Sequence, residues 1–506
     1  MKSAVELQPK ASPFARLREL LAQSTAGMFS DQGTLRQKVF RSGFWVLLGQ
    51  GCKQLGGVLR VVILARLLAP EDFGLMGIAL VTLGFLETFA ETGYQSALVQ
   101  RTGDIQPYLN SVFTVQVLRG LALGLILLTG APWAGSFFKN PEAVPLVQSV
   151  ALIVVFRGLI NPGVVVLQRE LNFRKQFIWN ITEFGTGLIL AIGLGFWLRN
   201  AWALVLSSIG ATAVQAAMSY VVAPIRPGFG WRWPLIRELS QFGKWMMGLN
   251  CIVYLSLNLD NVAVGRILGT AALGFYQVAY RIANLPATEI SKVASIVAFP
   301  VYAQLQEDRT RTERFFFANL AVVVLAGLPL VFVCVFLGEP LVKLVLGEKW
   351  LPAVSILQVL SLYGQLRMLS AVGGPLFQGL GRPAYDTKMN LIRLFVLAAL
   401  IFPLTTRWGA VGAAWAAVAS VAATLPYWLR RCAECLMIRT GPILRRLGLL
   451  TAQVVLGLAI PLLLCVWILP TSRWSGLGVA LGVASISYAA VLLTLWRNGI
   501  MPPRLS

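Results

Sequence analysis

The sequence predicts an all-α polytopic membrane protein with about 14 transmembrane helices. Three observations predict it. The 506 residues are 57% hydrophobic and only 13% charged, with a mean hydropathy of +0.71, whereas a soluble domain is about half apolar and about a quarter charged. The apolar residues gather into blocks long enough to cross a bilayer, which takes roughly 20 residues. Lys and Arg fall mostly in alternate connections between those blocks, the bias that orients membrane helices.

The blocks run over 43–68, 73–99, 111–136, 145–167, 177–198, 201–223, 242–268, 271–300, 316–346, 352–379, 385–406, 408–429, 447–469 and 475–496. Short polar loops join them, several carrying Pro or Gly, and none is long enough for a soluble catalytic domain. Hydrocarbon offers no water to backbone groups, so each span must satisfy its own hydrogen bonds as a helix. A membrane β-barrel is excluded, because its strands alternate over about ten residues instead of running continuously apolar. The first 41 residues are polar and basic, with no apolar core of signal-peptide length. They are expected to remain as a cytoplasmic tail.

Orientation follows from the cations. With the N-terminus inside, 27 of the 43 Lys and Arg residues lie on cytoplasmic segments, 8 on the opposite loops and 8 within spans. An even span number places both termini in the cytoplasm. The formal charge of +22 would suggest nucleic acid in a soluble protein. Here the basic residues flank apolar blocks, so nucleic acid is not an expected partner.

Six cysteines are present, four of them isolated in apolar stretches. Cys432 and Cys435 form a CxxC, but the chain has no histidine and no second ligand pair, so no metal site and no cofactor are expected. P-loop, GxSxG and HExxH motifs are absent, and the chain is expected not to be an enzyme. Gly49, Gly51, Gly56 and Gly57 lie inside span 1, where they permit close packing or bending. Gly478 and Gly482 have GxxxG spacing in span 14, a weak signal in a Gly-rich chain.

Sliding the sequence by 200 residues matches spans 1–2 to spans 7–8 without gaps. Arg66 falls on Arg266, Gly74 on Gly274, Ala79 on Ala279, Gly43 on Gly243 and Trp45 on Trp245. A shift of 210 pairs Arg157 with Arg367, Gly163 with Gly373 and Gln168 with Gln378. Six spans separate the copies, so both have the same topology and relate by an axis along the membrane normal. The expected organisation is a tail (1–41), an N-lobe of spans 1–6 (42–235), a C-lobe of spans 7–12 (236–436), and spans 13–14 with the C-terminus (437–506).

Charges within spans are costly and mark function or pairing. Lys53, Arg60, Arg157, Arg281 and Arg367 are candidates for a cavity that binds an anionic substrate, because the arginine fork fits phosphate oxygens. For Arg157, Arg281 and Arg367 the alternative is pairing with backbone carbonyls or with Glu183 and Glu289. Arg119, Lys292 and Arg393, nearer span ends, can snorkel to the interface. Glu87, Glu91 and Asp260 are candidates for gating or ion coupling. Glu87 and Glu91, one turn apart, can hold a cation or pair with Lys53 or Arg60. Arg60 falls on Asp260 under the 200-residue shift, which suggests a salt bridge between lobes, either structural or a gate.

The run Ile63-Leu64-Ala65-Arg66-Leu67-Leu68-Ala69-Pro70-Glu71-Asp72-Phe73-Gly74, continuing through Glu91-Thr92-Gly93 to Gln100, resembles the polysaccharide transporter (Wzx-type flippase) branch of the multidrug/oligosaccharidyl-lipid/polysaccharide flippase superfamily. Leu259-Asp260-Asn261 through Gly274-Phe275-Tyr276 resembles its second-half counterpart. The resemblance implies a V-shaped two-lobe bundle in a bacterial inner membrane. It would flip undecaprenyl-diphosphate-linked oligosaccharide from cytoplasm to periplasm for exopolysaccharide, capsule or O-antigen, coupled to an ion gradient. Its partners would be the lipid-linked substrate, membrane lipids and polymerase or assembly proteins. Alternatives are a drug/cation antiporter or a peptidoglycan lipid-precursor flippase of the same superfamily, and a membrane glycosyltransferase, which the short non-cytoplasmic loops disfavour.

Overall fold

A computed structural model describes residues 35–90, 93–101, 103–170, 172–468 and 474–497. Glu91 and most of the N-terminal tail lie outside these, as does the side chain of Lys292. Among the described residues the regular structure is entirely helical. In chain order the α-helices are α1 (Leu35–Leu67), α2 (Pro70–Phe89), α3 (Tyr94–Gln100), α4 (Gln106–Phe137), α5 (Ala143–Gly158), α6 (Val164–Arg169), α7 (Phe173–Leu198), α8 (Trp202–Val222) and α9 (Trp233–Leu268). They continue as α10 (Thr270–Gln304), α11 (Arg309–Val345), α12 (Ala353–Ala371), α13 (Gly373–Gly379), α14 (Ala384–Ala422), α15 (Leu425–Leu436), α16 (Thr440–Ile468) and α17 (Trp474–Arg497).

Over its described residues each apolar block is mainly helical, and nine stretches among the described residues are long and apolar enough to cross a membrane. Some blocks are broken where their sequence demands it. α2 ends at Phe89, and Gly93, at φ +64°, caps the start of α3. Asn161-Pro162 divides α5 from α6, since proline removes a backbone donor. The expected loop between the eleventh and twelfth blocks is instead a break at Gly409, φ +61°. There the chain reverses so sharply that a Cβ on Gly412 would lie 1.9 Å from the Leu404 carbonyl oxygen.

The packing repeats with the sequence. In the first half α1 packs on α7, α2 on α5, and α4 on α5; in the second α9 packs on α14, α10 on α12, and α11 on α12. α16 and α17 pack on each other and on α11, around Leu450, Val454 and Leu458. The GxxxG pair of α17 makes no close contact: neither Gly478 nor Gly482 has a neighbour within 4 Å of a built Cβ. Of the span-1 glycines, Gly51 is likewise open, but a Cβ on Gly56 would meet the Phe184 ring at 2.6 Å and one on Gly49 the Phe177 ring at 3.1 Å.

The halves meet where α2 crosses α10. A Cβ on Gly74 would lie 1.9 Å from the Thr270 oxygen, and one on Gly274 1.9 Å from the Pro70 oxygen. These glycines are equivalents under the 200-residue shift, and equivalent positions can touch only on the axis relating the two copies. The core runs through this crossing, with Ile78, Ala79, Leu273, Tyr276 and Ala279 buried.

Candidate functional site

Two first-half helices, α1 and α5, together with α10 carry four of the five predicted cations, Lys53, Arg60, Arg157 and Arg281, while Arg367 lies on α12. Lys53 and Arg60, seven residues apart on α1, share a face two turns apart. Lys53 lines a cavity of about 250 Å³ between α1 and α7, with Trp45, Gln50, Gln176 and Asn180. One turn along α7, Glu183 is close enough to interact electrostatically with Lys53 and Arg157, and accepts from Gln215 Nε2 at 2.7 Å. Arg60 reaches into the first half and donates to the buried hydroxyl of Ser207 at 3.2 Å. Arg157 on α5 pairs with Glu87 on α2 at 2.5 Å, in a partly exposed position. Arg281 on α10 lies against α1, an Nη atom 3.4 Å from where a Gly57 Cβ would stand. It is near enough to Arg60 for the two to repel.

The second half carries a more enclosed network. Asp260 is 3% exposed. Its carboxylate accepts from Tyr276 OH at 2.7 Å, from the Asn261 amide N–H at 2.8 Å and from Asn261 Nδ2 at 3.2 Å. Tyr276 stacks on Tyr280, which packs against Tyr363. Arg367 reaches the Tyr280 hydroxyl at 3.5 Å. Arg393 donates to Tyr363 OH and to the Ser256 carbonyl at 3.3 Å, and acts electrostatically on Asp260.

Three expectations are corrected. Arg60 and Asp260 do not pair, because same-topology copies turn equivalent positions each into its own half. Glu87 is partnered by Arg157, not Lys53 or Arg60, because α2 packs on α5 while α1 packs on α7. Arg393 points inward to Tyr363 instead of snorkelling. Sequence reasoning missed Ser207, Tyr276, Tyr280 and Tyr363. The i, i+4 spacing of Tyr276 and Tyr280 on an apolar helix was the available signal.

The signature around residue 66 forms a reciprocal cap. Every helix end leaves carbonyls unbonded. Arg66 donates from Nε to Val345 O at 3.0 Å and from Nη2 to Leu344 O, at the end of α11. In return Lys349 donates to Arg66 O at 3.1 Å and Leu68 O at 2.6 Å, and Trp350 Nε1 to Ala65 O at 2.8 Å, at the end of α1. Trp350 is fully buried, edge-on to Phe73 and Phe275. Through these ring contacts the cap adjoins the helices that cross at Gly74 and Gly274. Burial lowers the Lys349 ammonium below its ordinary value, opposed by Asp72.

Relatives match this architecture. The chain is 25% identical over 381 residues to the lipopolysaccharide biosynthesis protein WzxC of Escherichia coli, covering 75% of this chain and 77% of that protein. It is 27% identical over 333 residues to the succinoglycan biosynthesis transport protein ExoT of Rhizobium meliloti, covering 66% and 67%. Among solved structures, the lipid II flippase MurJ in an inward closed conformation superposes with a TM-score of 0.70 at 14% identity, covering 90% of this chain and 99% of that one; that likeness is one of fold. A profile of the polysaccharide biosynthesis protein family matches residues 63–355, more than half of the sequence, and the chain belongs to that family.

Proposed function

We propose that this chain flips undecaprenyl-diphosphate-linked oligosaccharide repeat units from the cytoplasmic to the periplasmic leaflet of a bacterial inner membrane. The observation that carries the proposal is the gathering of Lys53, Arg60, Arg157 and Arg281 around α1, against the carboxylates Glu87 and Glu183. A cationic interior in low dielectric draws an anionic headgroup off the membrane surface, and arginine forks fit diphosphate oxygens. The biosynthetic and transport roles named for WzxC and ExoT support the same substrate class.

In this reading the chain spans the membrane 14 times with both termini cytoplasmic, and lobes 42–235 and 236–436 rock about the Gly74–Gly274 crossing. The capped end is the periplasmic gate, shut in this conformation. Arg367 belongs to the second-half wall. Asp260, enclosed with Tyr276, Tyr280, Tyr363 and Arg393, is the element that couples an ion gradient to rocking. Glu91 retains its candidacy beside Glu87. Polymerase or assembly proteins take the product.

The test is complementation. Deleting the gene should trap lipid-linked repeats on the cytoplasmic leaflet and remove surface polysaccharide. The wild-type chain should restore both, while Arg60→Ala and Arg281→Ala, expressed at equal levels, should not. Unchanged lipid intermediates with altered drug sensitivity would favour an antiporter instead.

A further inference from the structure

Between α1 and the second half lies a cavity of about 190 Å³. Val58 and Val61 of α1, Ile282 of α10, Cys334 and Val342 of α11, and Leu357 of α12 form its walls. One charged residue lines it, Arg281, whose guanidinium sits beside α1, 3.4 Å from where a Gly57 Cβ would stand. Among the described residues no carboxylate pairs with Arg281, and Arg60, its close charged neighbour, repels it. The cavity is therefore an apolar slot with a cation that has no carboxylate partner at its exposed edge.

Few ligands satisfy both parts. A soluble anion neutralises Arg281 but leaves the apolar walls unfilled. A hydrocarbon fills the walls but leaves the cation unpaired. A phospholipid has both, but ester carbonyls stand between its phosphate and its chains, and the slot offers them no donor. A polyprenyl diphosphate joins an anionic oxygen directly to an apolar chain. An apolar cavity of about 150 Å³ takes a benzene-sized group, so this one fits one or two five-carbon units. We propose that the slot binds the diphosphate-proximal isoprene units of the lipid carrier, with Arg281 on the diphosphate. This rests on the flippase reading and adds the place where its lipid tail enters the protein.

Cys334 makes the slot self-reporting. The experiment retains Cys334 and replaces the other five cysteines with alanine in the full chain, reconstituted in proteoliposomes. Alkylation by N-ethylmaleimide is then timed with farnesyl diphosphate, inorganic diphosphate, farnesol or phosphatidylglycerol. At ten times its half-saturating concentration a ligand leaves about one site in eleven free, so farnesyl diphosphate should slow labelling about tenfold. The other three should not. Arg281→Gln and the slot-filling Val342→Trp should each abolish the protection. Equal protection by farnesol or by phosphatidylglycerol overturns the assignment, as does no protection by farnesyl diphosphate. Flipping of a lipid-linked saccharide is measured in the same vesicles. Intact flipping with an unprotected Cys334 removes the slot and leaves the transport reading standing, whereas absent flipping by an otherwise folded chain refutes the transport reading itself.

Discussion

Gly74→Ala tests whether the α2–α10 crossing is the closure. A Cβ there would stand 1.9 Å from the Thr270 carbonyl oxygen, against about 3.4 Å for ordinary contact. The helices must therefore separate by about 1.5 Å, the difference between those distances. The obstacle is backbone, so no rotamer change relieves it. Overpacking of this kind costs about 1–3 kcal/mol. If the crossing exists only in the closed form, that cost falls on one side of the open–closed equilibrium. A value near 2 kcal/mol then raises the open-to-closed ratio about 30-fold. Cys52, exposed on the same helix as Lys53, is the reporter. With the other cysteines removed, its labelling by an impermeant reagent from the periplasmic side should accelerate by that order. The thermal midpoint should fall modestly. Labelling and midpoint both at wild-type values would refute the reasoning, because a 1.9 Å contact cannot be silent in a closed interface.

Lys349→Met withdraws donors from two carbonyls of α1; at about 1.5 kcal/mol or more for a hydrogen bond to a charged group, the same labelling should rise at least tenfold, and a wild-type rate would show that the cap does not latch the gate. Arg157→Gln should lower the thermal midpoint by leaving Glu87 unpaired, a cost near 1 kcal/mol because the pair is partly solvated. The double variant Glu87→Gln/Arg157→Gln should regain the midpoint without regaining transport; recovery of both would make the pair purely structural. Asp260→Asn keeps an acceptor for Tyr276, so expression should persist while gradient-driven flipping drops at least tenfold, and full flipping would exclude Asp260 from coupling. The Arg101 guanidinium and Tyr108 hydroxyl hold the Glu238 carboxyl below its ordinary 4.5. A depressed carboxyl stabilises above its unfolded value and loses that contribution as pH falls through the folded one. Glu238→Gln should accordingly flatten the loss of thermal midpoint on acidification below about 4.5; an unchanged acid limb counts against this pairing.

The helices were legible in the sequence because a span's length and apolarity are one-dimensional properties. Block 201–223 is α8 to within a residue at each end. The 200-residue shift was legible for a related reason, since Gly74 and Gly274 are held by backbone contact that tolerates no side chain. Direction and partnership were less legible. Helical spacing places Lys53 and Arg60 on one face of α1 but says nothing of what that face meets. Symmetry suggested that Arg60 meets Asp260, yet equivalence makes two positions face alike, and only those on the axis face each other. The role of Arg66 was hidden because its partners are carbonyls, which every residue possesses. The Asp260 network was hidden because tyrosines in an apolar block resemble core until their hydroxyls are placed.

The reciprocal cap sets an energy scale for the whole cycle. Its five hydrogen bonds, at about 1.5 kcal/mol for each of the four donated by Arg66 and Lys349 and about 1 kcal/mol for that of Trp350, amount to about 7 kcal/mol. Moving a two-state equilibrium from one side to the other takes about 5.5 kcal/mol. Because Arg66 both donates to one helix end and is itself, through its carbonyl, held at the other, the bonds break as a set, and a half-released latch has little to stabilise it. In the proposed cycle, a cargo must therefore favour the outward form by about as much as the cap favours the shut one, and its departure resets the lock.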